Sequence, residues 1–186
     1  MVRSAQAQSL LSVVERLPEF DRIARQAGDD VLERIRTTTA LGWLPLQDHM
    51  AVADAVRDVL GVARSIEAWR AAMLHAFKLP YLKSFVQMST SLFGVSPASL
   101  LKRADTVYAY VVRDAGSLEF SALPGAKCEL VVRDFPAARH RFVCWLEGLE
   151  GCLLGTLDLG RFVGEARIAE IDDQRGFARY EVSWRL

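Results

Sequence analysis

Several absences narrow the field before any motif is sought. Among 186 residues there are only three cysteines, Cys128, Cys144 and Cys152, and no CxxC pair. That leaves no disulfide framework and no zinc-ribbon spacing, so the thiols are expected to be reduced in a cytosolic protein. Charge of one sign is not in excess either: Lys+Arg and Asp+Glu both total 23, and nothing draws the chain toward nucleic acid or an anionic membrane. No uncharged run approaches the ~20 apolar residues that cross a bilayer. The opening MVRSAQAQSLLSVVERLPEF reaches Glu15 and Arg16 too early for a signal peptide. GxSxG, P-loop, HExxH and GxGxxG signatures are all missing. The expectation is a cytoplasmic, non-enzymatic protein with no membrane span.

What is present is ordinary globular material, 51% hydrophobic and 25% charged, long enough for one domain with a substantial core. Residues 1–115 read as five or six helices. Leu10, Leu11, Val13 and Val14 form an apolar stripe that stops before Pro18, and PEFDRIARQAG runs from a first-turn proline to Gly28. TTTALGWLPL breaks the periodicity and reads as a loop. Val52, Ala55, Val56, Val59 and Leu60 continue the helical spacing to a stop at Gly61. Ile66, Trp69, Met73 and Phe77 lie on one helix face, and Pro80 opens a further helix ending before Gly94. Ser96-Pro97 is an N-cap followed by a first-turn proline, with helical spacing kept from Leu100 to Val111.

After Gly116 the period changes. SLEFSALPGAKCELVVRDFP reads as two strands about Pro124-Gly125, residues 137–157 return to helical spacing, and RFVGEARIAEIDDQRGFARYEVSW alternates about DDQRG. The fold class is therefore α+β: a single domain, 1–186, whose helical half (1–115) packs on a small antiparallel sheet from a ββαββ half (116–186).

Within the second half, CWLEGLEGCLLG places three glycines inside a helix, where each costs about 1 kcal/mol relative to alanine. At about 100° per residue, Cys144, Gly148, Gly151 and Gly155 share one face, opposite a bulky stripe that includes Trp145, Leu149 and Leu153. A face without Cβ atoms lets another backbone approach closely. Three readings stay open: contact with another element of the same chain, a homodimer seam, or the wall of a pocket shared with Trp69, Met73 and Phe77.

A helix of the form FVCWLEGLEGCLLGTL followed by a strand pair ending in ARYEVSW resembles the C-terminal half of the 4-vinyl-reductase-type domain. That domain shares a ligand-binding fold with heme–nitric-oxide sensors and TRAPP trafficking subunits, and a myxobacterial paralogous family of unknown function is similar. The resemblance covers roughly residues 96–186. It implies helices layered on an antiparallel sheet, frequent dimerisation, and an apolar pocket that holds a tetrapyrrole or acyl chain in some relatives. The final hairpin lacks the cysteines common in vinyl-reductase-type domains, and the Tyr-x-Ser-x-Arg motif of the heme sensors is missing. The expectation is accordingly no cofactor and no metal.

The remaining candidates are few. His75 in AAMLHAFKL is a possible axial heme ligand, with a hydrogen-bonded helix flank as the plainer alternative. His49, beside Asp48, reads as a helix-start or surface residue. His140 and Cys144 are four apart and could share a metal, but two ligands do not close a tetrahedral site. Arg133, Arg139 and Arg141 gather near a helix start, where an anion or acidic partner could bind, against the alternative of a solvated rim. The leading expectation is a protein-assembly or apolar-small-ligand-sensing module acting as a homodimer. The alternatives are a heme or tetrapyrrole sensor using His75 or His140, and a thiol-dependent enzyme centred on Cys144.

Overall fold

The computed structural model describes residues 1–79, 96–135, 142–172 and 174–185. The chain opens with a two-residue strand, β1 (Val2–Arg3), that runs into helix α1 (Ser4–Val14). Helices α2 (Phe20–Ala27) and α3 (Asp29–Thr37) meet at Gly28. Strand β2 (Trp43–Leu44) follows and pairs antiparallel with β1, Val2 opposite Leu44. It falls inside the stretch read as loop; two residues carry no periodicity, and only the distant partner makes them a strand.

Helices α4 (Leu46–Leu60) and α5 (Val62–Ala76) are consecutive and separated by Gly61 alone. At φ 78° that residue adopts a conformation side chains disfavour, so the chain can turn there without a loop. The helix expected after Pro80 lies outside the described residues.

Beyond it the helical signal from Ser96 to Val111 resolves into two short helices, α6 (Pro97–Leu101) and α7 (Ala104–Val111). The start of α6 is fixed by a reciprocal cap: the Ser99 amide donates to Ser96 Oγ and the Ser96 amide to Ser99 Oγ, both at 3.1 Å.

The second half is a four-stranded antiparallel sheet crossed by one long helix. The strands are β3 (Ser117–Leu123), β4 (Lys127–Arg133), β5 (Gly164–Asp172) and β6 (Phe177–Trp184), in spatial order β3-β4-β6-β5. Helix α8 (Phe142–Leu159) connects β4 to β5 and keeps its helical form through all three glycines. The inner face of the sheet carries Cys128, Leu130, Val132, Ala178, Tyr180 and Val182, all buried. That alternation is the period-two pattern of a half-buried strand. Tyr180 reaches through this layer to donate a 2.9 Å hydrogen bond to the Leu146 carbonyl of α8. On its other side α8 lies against α5 and α4, so it is the layer shared by the helical half and the sheet. Among the described residues no helix is long and apolar enough to cross a membrane.

Candidate functional site

The glycine stripe of α8 is filled by α5. A Cβ on Gly148 would overlap the indole of Trp69, one on Gly151 the carbonyl oxygen of Ile66, and one on Gly155 would sit 2.8 Å from the Arg70 carbonyl oxygen and 2.9 Å from Met73 Cβ. The intramolecular reading therefore accounts for all three glycines, and the stripe is not available as a dimer seam. Ion pairs bracket it. Glu147, just before Gly148, accepts from Arg57 Nε at 2.7 Å and from Arg57 Nη2 at 3.1 Å; Asp158, after Gly155, accepts from Arg70 Nε at 2.5 Å and from Nη2 at 2.8 Å.

With α5 and α8 held together in this way, the bulky faces of both helices border a cavity of about 100 Å³. Trp69 and Met73 of α5 with Phe77 just past its end form one side, Trp145 and Leu149 of α8 another, and Val107 and Tyr108 of α7 a third. The walls are almost entirely apolar, and Arg103 stands among the lining residues where α6 passes into α7. The Tyr108 hydroxyl donates to the Ala115 carbonyl at 2.8 Å, and burial raises its pKa, so it stays a phenol.

His49 on α4 is the unexpected lining residue. Its ring is fully buried, stands edge-on to Trp69 with centroids 5.1 Å apart, and has no hydrogen-bond partner on either nitrogen among the described residues. Burial lowers its pKa to about 4, so the imidazole is neutral near pH 7. Buried polar atoms without partners are rare and costly, by about 1–3 kcal/mol each. From the sequence His49 reads as a helix-start or surface residue; it does lie in the first turn of α4, but buried rather than at the surface. The signal that could have corrected it is helical spacing, because 49, 52, 53 and 56 continue the apolar stripe one turn toward the N-terminus, and Val52, Ala53 and Val56 are all buried.

The other candidates fall elsewhere. His75 is half-buried, its Nδ1 lies 3.4 Å from Ser9 Oγ, and it does not line the cavity. Cys144 does not line it either: it is buried near Asp54, and burial first, then that carboxylate, pushes its thiol up to about 12. Cys152 does line the cavity, and burial raises it likewise to about 12. A thiol in that range is almost wholly protonated near pH 7 and is a poor nucleophile. Arg133 is paired with Glu119 at 2.8 Å and shares a polar recess with Arg175 and with Asp134, Glu170 and Asp172, whose three carboxylates outnumber the two guanidinium groups. Arg139, His140 and Arg141 lie outside the described residues. Among the described residues no cluster of three or more His, Cys, Asp or Glu is placed to hold a metal ion.

No protein-family model matches the chain. No curated protein matches it. Solved structures do. An Fe(II) unliganded H-NOX protein mutant from K. algicida superposes with a TM-score of 0.66 at 10% identity, over 99% of this chain and 97% of that one. A Cs H-NOX mutant carrying 4-cyano-L-phenylalanine gives 0.64 at 14%, over 99% and 97%. An oxygen-binding H-NOX domain related to soluble guanylate cyclases gives 0.58 at 15%, over 96% and 93%. At these identities the likeness establishes the fold, and it spans nearly the whole chain rather than residues 96–186 alone. Of the folds the sequence suggested, these structures support that of the heme–nitric-oxide sensors; the vinyl-reductase and TRAPP kinships are not carried by them. The expectation of no cofactor is overturned on the same ground. It rested on missing motifs, whereas the chain adopts the fold of proteins described by their heme, one of them (0.61 at 15%, 99% of both chains) through heme redox potential and porphyrin distortion.

Proposed function

We propose that this chain is a heme-binding sensor module of the H-NOX fold, with the porphyrin held between the joined wall of α4, α5 and α8 on one side and α6–α7 on the other. The observation that carries the reading is His49, a neutral and unpartnered imidazole in an apolar cavity between the helical layer and α8. Neutral imidazole is the form that ligates iron, and the nearly apolar lining suits a macrocycle. In this reading His49 takes the role that the sequence offered to His75 or His140. Bound heme would supply an iron centre for a diatomic gas.

Size adds a condition. A cavity of 150 Å³ takes one benzene, so about 100 Å³ admits a tetrapyrrole only after a wall has moved. The α5–α8 seam is held at backbone distance by the glycines and by the Arg70–Asp158 pair, and the Arg57–Glu147 pair ties α4 to the same helix. The wall that moves is therefore α6–α7, and that displacement is how occupancy would be signalled. The homodimer expected from the sequence belongs to this proposal through a face other than the glycine stripe.

Titration of purified protein with hemin tests the reading. A saturable Soret band is expected, displaced or lost in His49→Ala and retained in His75→Ala. A spectrum that stays that of free hemin, with the protein folded by circular dichroism, would overturn it.

A further inference from the structure

We infer that the surface made by Arg3, Trp43, Tyr110 and Arg113 is a docking site for an acidic segment of a partner protein, with carboxylates of that segment paired to the two arginines. Alternation along extended chain builds the site. Val2 and Val112 bridge one another and turn inward to line the cavity, so the residue after each, Arg3 and Arg113, turns outward. The Arg113 amide donates to the Met1 carbonyl at 2.8 Å and keeps the two segments in register. Both guanidinium groups then stack on one indole. That of Arg3 lies 3.9 Å and that of Arg113 4.0 Å from the centroid of the Trp43 ring. Arg3 is fixed further by donating from Nε to the Tyr110 carbonyl and from Nη1 to the Leu41 carbonyl.

The charge of this pair has no internal match. Arg34, Arg57, Arg70 and Arg179 all hold carboxylates, whereas neither Arg3 nor Arg113 forms an ion pair among the described residues. Asp114, the next residue, acts on the Met1 amino group instead. A guanidinium lying flat on a ring leaves its N–H edge free, and that edge matches a carboxylate in a bidentate pair. Arg113 is exposed and presents such an edge. Leu41 and Tyr110, 57% and 40% exposed, border it with apolar surface, and arginine with aromatic residues is the composition of interface anchors. An anionic bilayer would also suit arginine beside aromatic rings, but its recognition takes clusters of about 4–8 basic residues. Two arginines on a chain with 23 charges of each sign match two carboxylates better than a charged sheet of lipid. The inference does not depend on heme binding, and the two can fail separately.

The test titrates the full chain, labelled with ¹⁵N-arginine, with a capped octapeptide of alternating glutamate and alanine. Its lysine counterpart, inorganic phosphate and phosphatidylserine-containing vesicles serve as the other probes. The glutamate peptide should bind saturably, one per chain, shift the Nε–H resonances of Arg3 and Arg113, and weaken as salt is added. Binding should fall at least tenfold in Arg113→Glu and less in Arg113→Lys, which keeps the charge but loses the planar fork. Arg113 is exposed, so both variants are expected to fold, and the wild-type resonances report independently of them. Unmoved Arg3 and Arg113 resonances, undiminished binding in Arg113→Glu, or equal binding of the lysine peptide would each overturn the proposal. So would phosphate giving the same shifts at the same concentration, which marks an adventitious ion only. Co-sedimentation with vesicles without peptide binding would assign the surface to a membrane instead. A protein that binds the peptide but gives no Soret band retains this site and loses the heme reading; the converse result retains heme and removes this site.

Discussion

The main chain of Gly151 rests on the carbonyl of Ile66, so an alanine methyl at 151 would overlap that oxygen. On helix propensity alone, Gly151→Ala should stabilise α8 by about 1 kcal/mol. The seam reverses the sign, because backbone cannot yield as a flexible side chain can, and overpacking costs about 1–3 kcal/mol. Gly151→Ala is expected to lower stability by about 2 kcal/mol in urea unfolding. Gly148→Ala should cost less, since the obstacle there is the Trp69 ring, which has the cavity beside it. A stabilised Gly151→Ala protein would mean that α5 and α8 do not meet at backbone distance.

His49 should leave a signature in the acid limb of stability. Its folded pKa is lowered to about 4 from an ordinary 6.5. Between those values the unfolded chain takes up a proton that the native one refuses, so stability is complete above about pH 6.5 and falls as the pH drops toward 4. At about 1.36 kcal/mol per unit the loss amounts to roughly 3 kcal/mol. In His49→Leu that component should vanish, leaving the shallower slope of the carboxylates. Urea melts at half-unit intervals from pH 7 to 4.5 read the difference directly; parallel slopes for the two proteins would place His49 in contact with water.

Elements whose signal is local were legible before the structure. The last hairpin is one: Ala178, Tyr180 and Val182 alternate inward on β6, and its pairing with β5 follows that period apart from a register shift between Ile168 and Glu170. Helix α8 is another, because an apolar stripe continued past each glycine. What escaped was non-local. β1 and β2 are strands only by virtue of each other, some forty residues apart. The break between α6 and α7 at Lys102 and Arg103 carries neither glycine nor proline. The cavity is lined jointly from β1, α1, α4, α5, α6, α7, β3 and α8, and no single stretch encodes it. His49 was misplaced because histidine next to aspartate reads as polar surface, whereas Asp48 turns to a bidentate pair with Arg34 and the histidine turns inward.

The Arg57–Glu147 pair should show the asymmetry of a largely buried ion pair. The Glu147 side chain is 11% exposed and that of Arg57 34%. Removing the arginine strands a carboxylate between α4 and α8, at a cost of about 2 kcal/mol. Removing both charges, in Arg57→Ala with Glu147→Leu, relieves that penalty. The double variant should recover roughly half of the loss, a non-additivity that a double-mutant cycle in urea isolates. Additive losses would place the pair in solvent, with a coupling near zero.

The three thiols bear on whether the chain can act through cysteine. Cys128, Cys144 and Cys152 are all buried, and burial raises each to about 12. At pH 8 a thiol with a pKa of 12 is about 0.01% thiolate, against roughly a quarter for an ordinary one. Native protein should therefore react with an aromatic disulfide reagent at least a hundredfold more slowly than protein in urea, with all three sites limited by opening of the fold. Cys144 is the informative site, because it alone has both an arginine, Arg57, and a carboxylate, Asp54, close enough to influence it. The arginine favours the thiolate and the carboxylate opposes it, and burial outweighs both. If Cys144 labelled rapidly in the native state while Cys128 and Cys152 did not, that balance would be reversed, and a thiol-centred activity would regain the support that the buried geometry denies it.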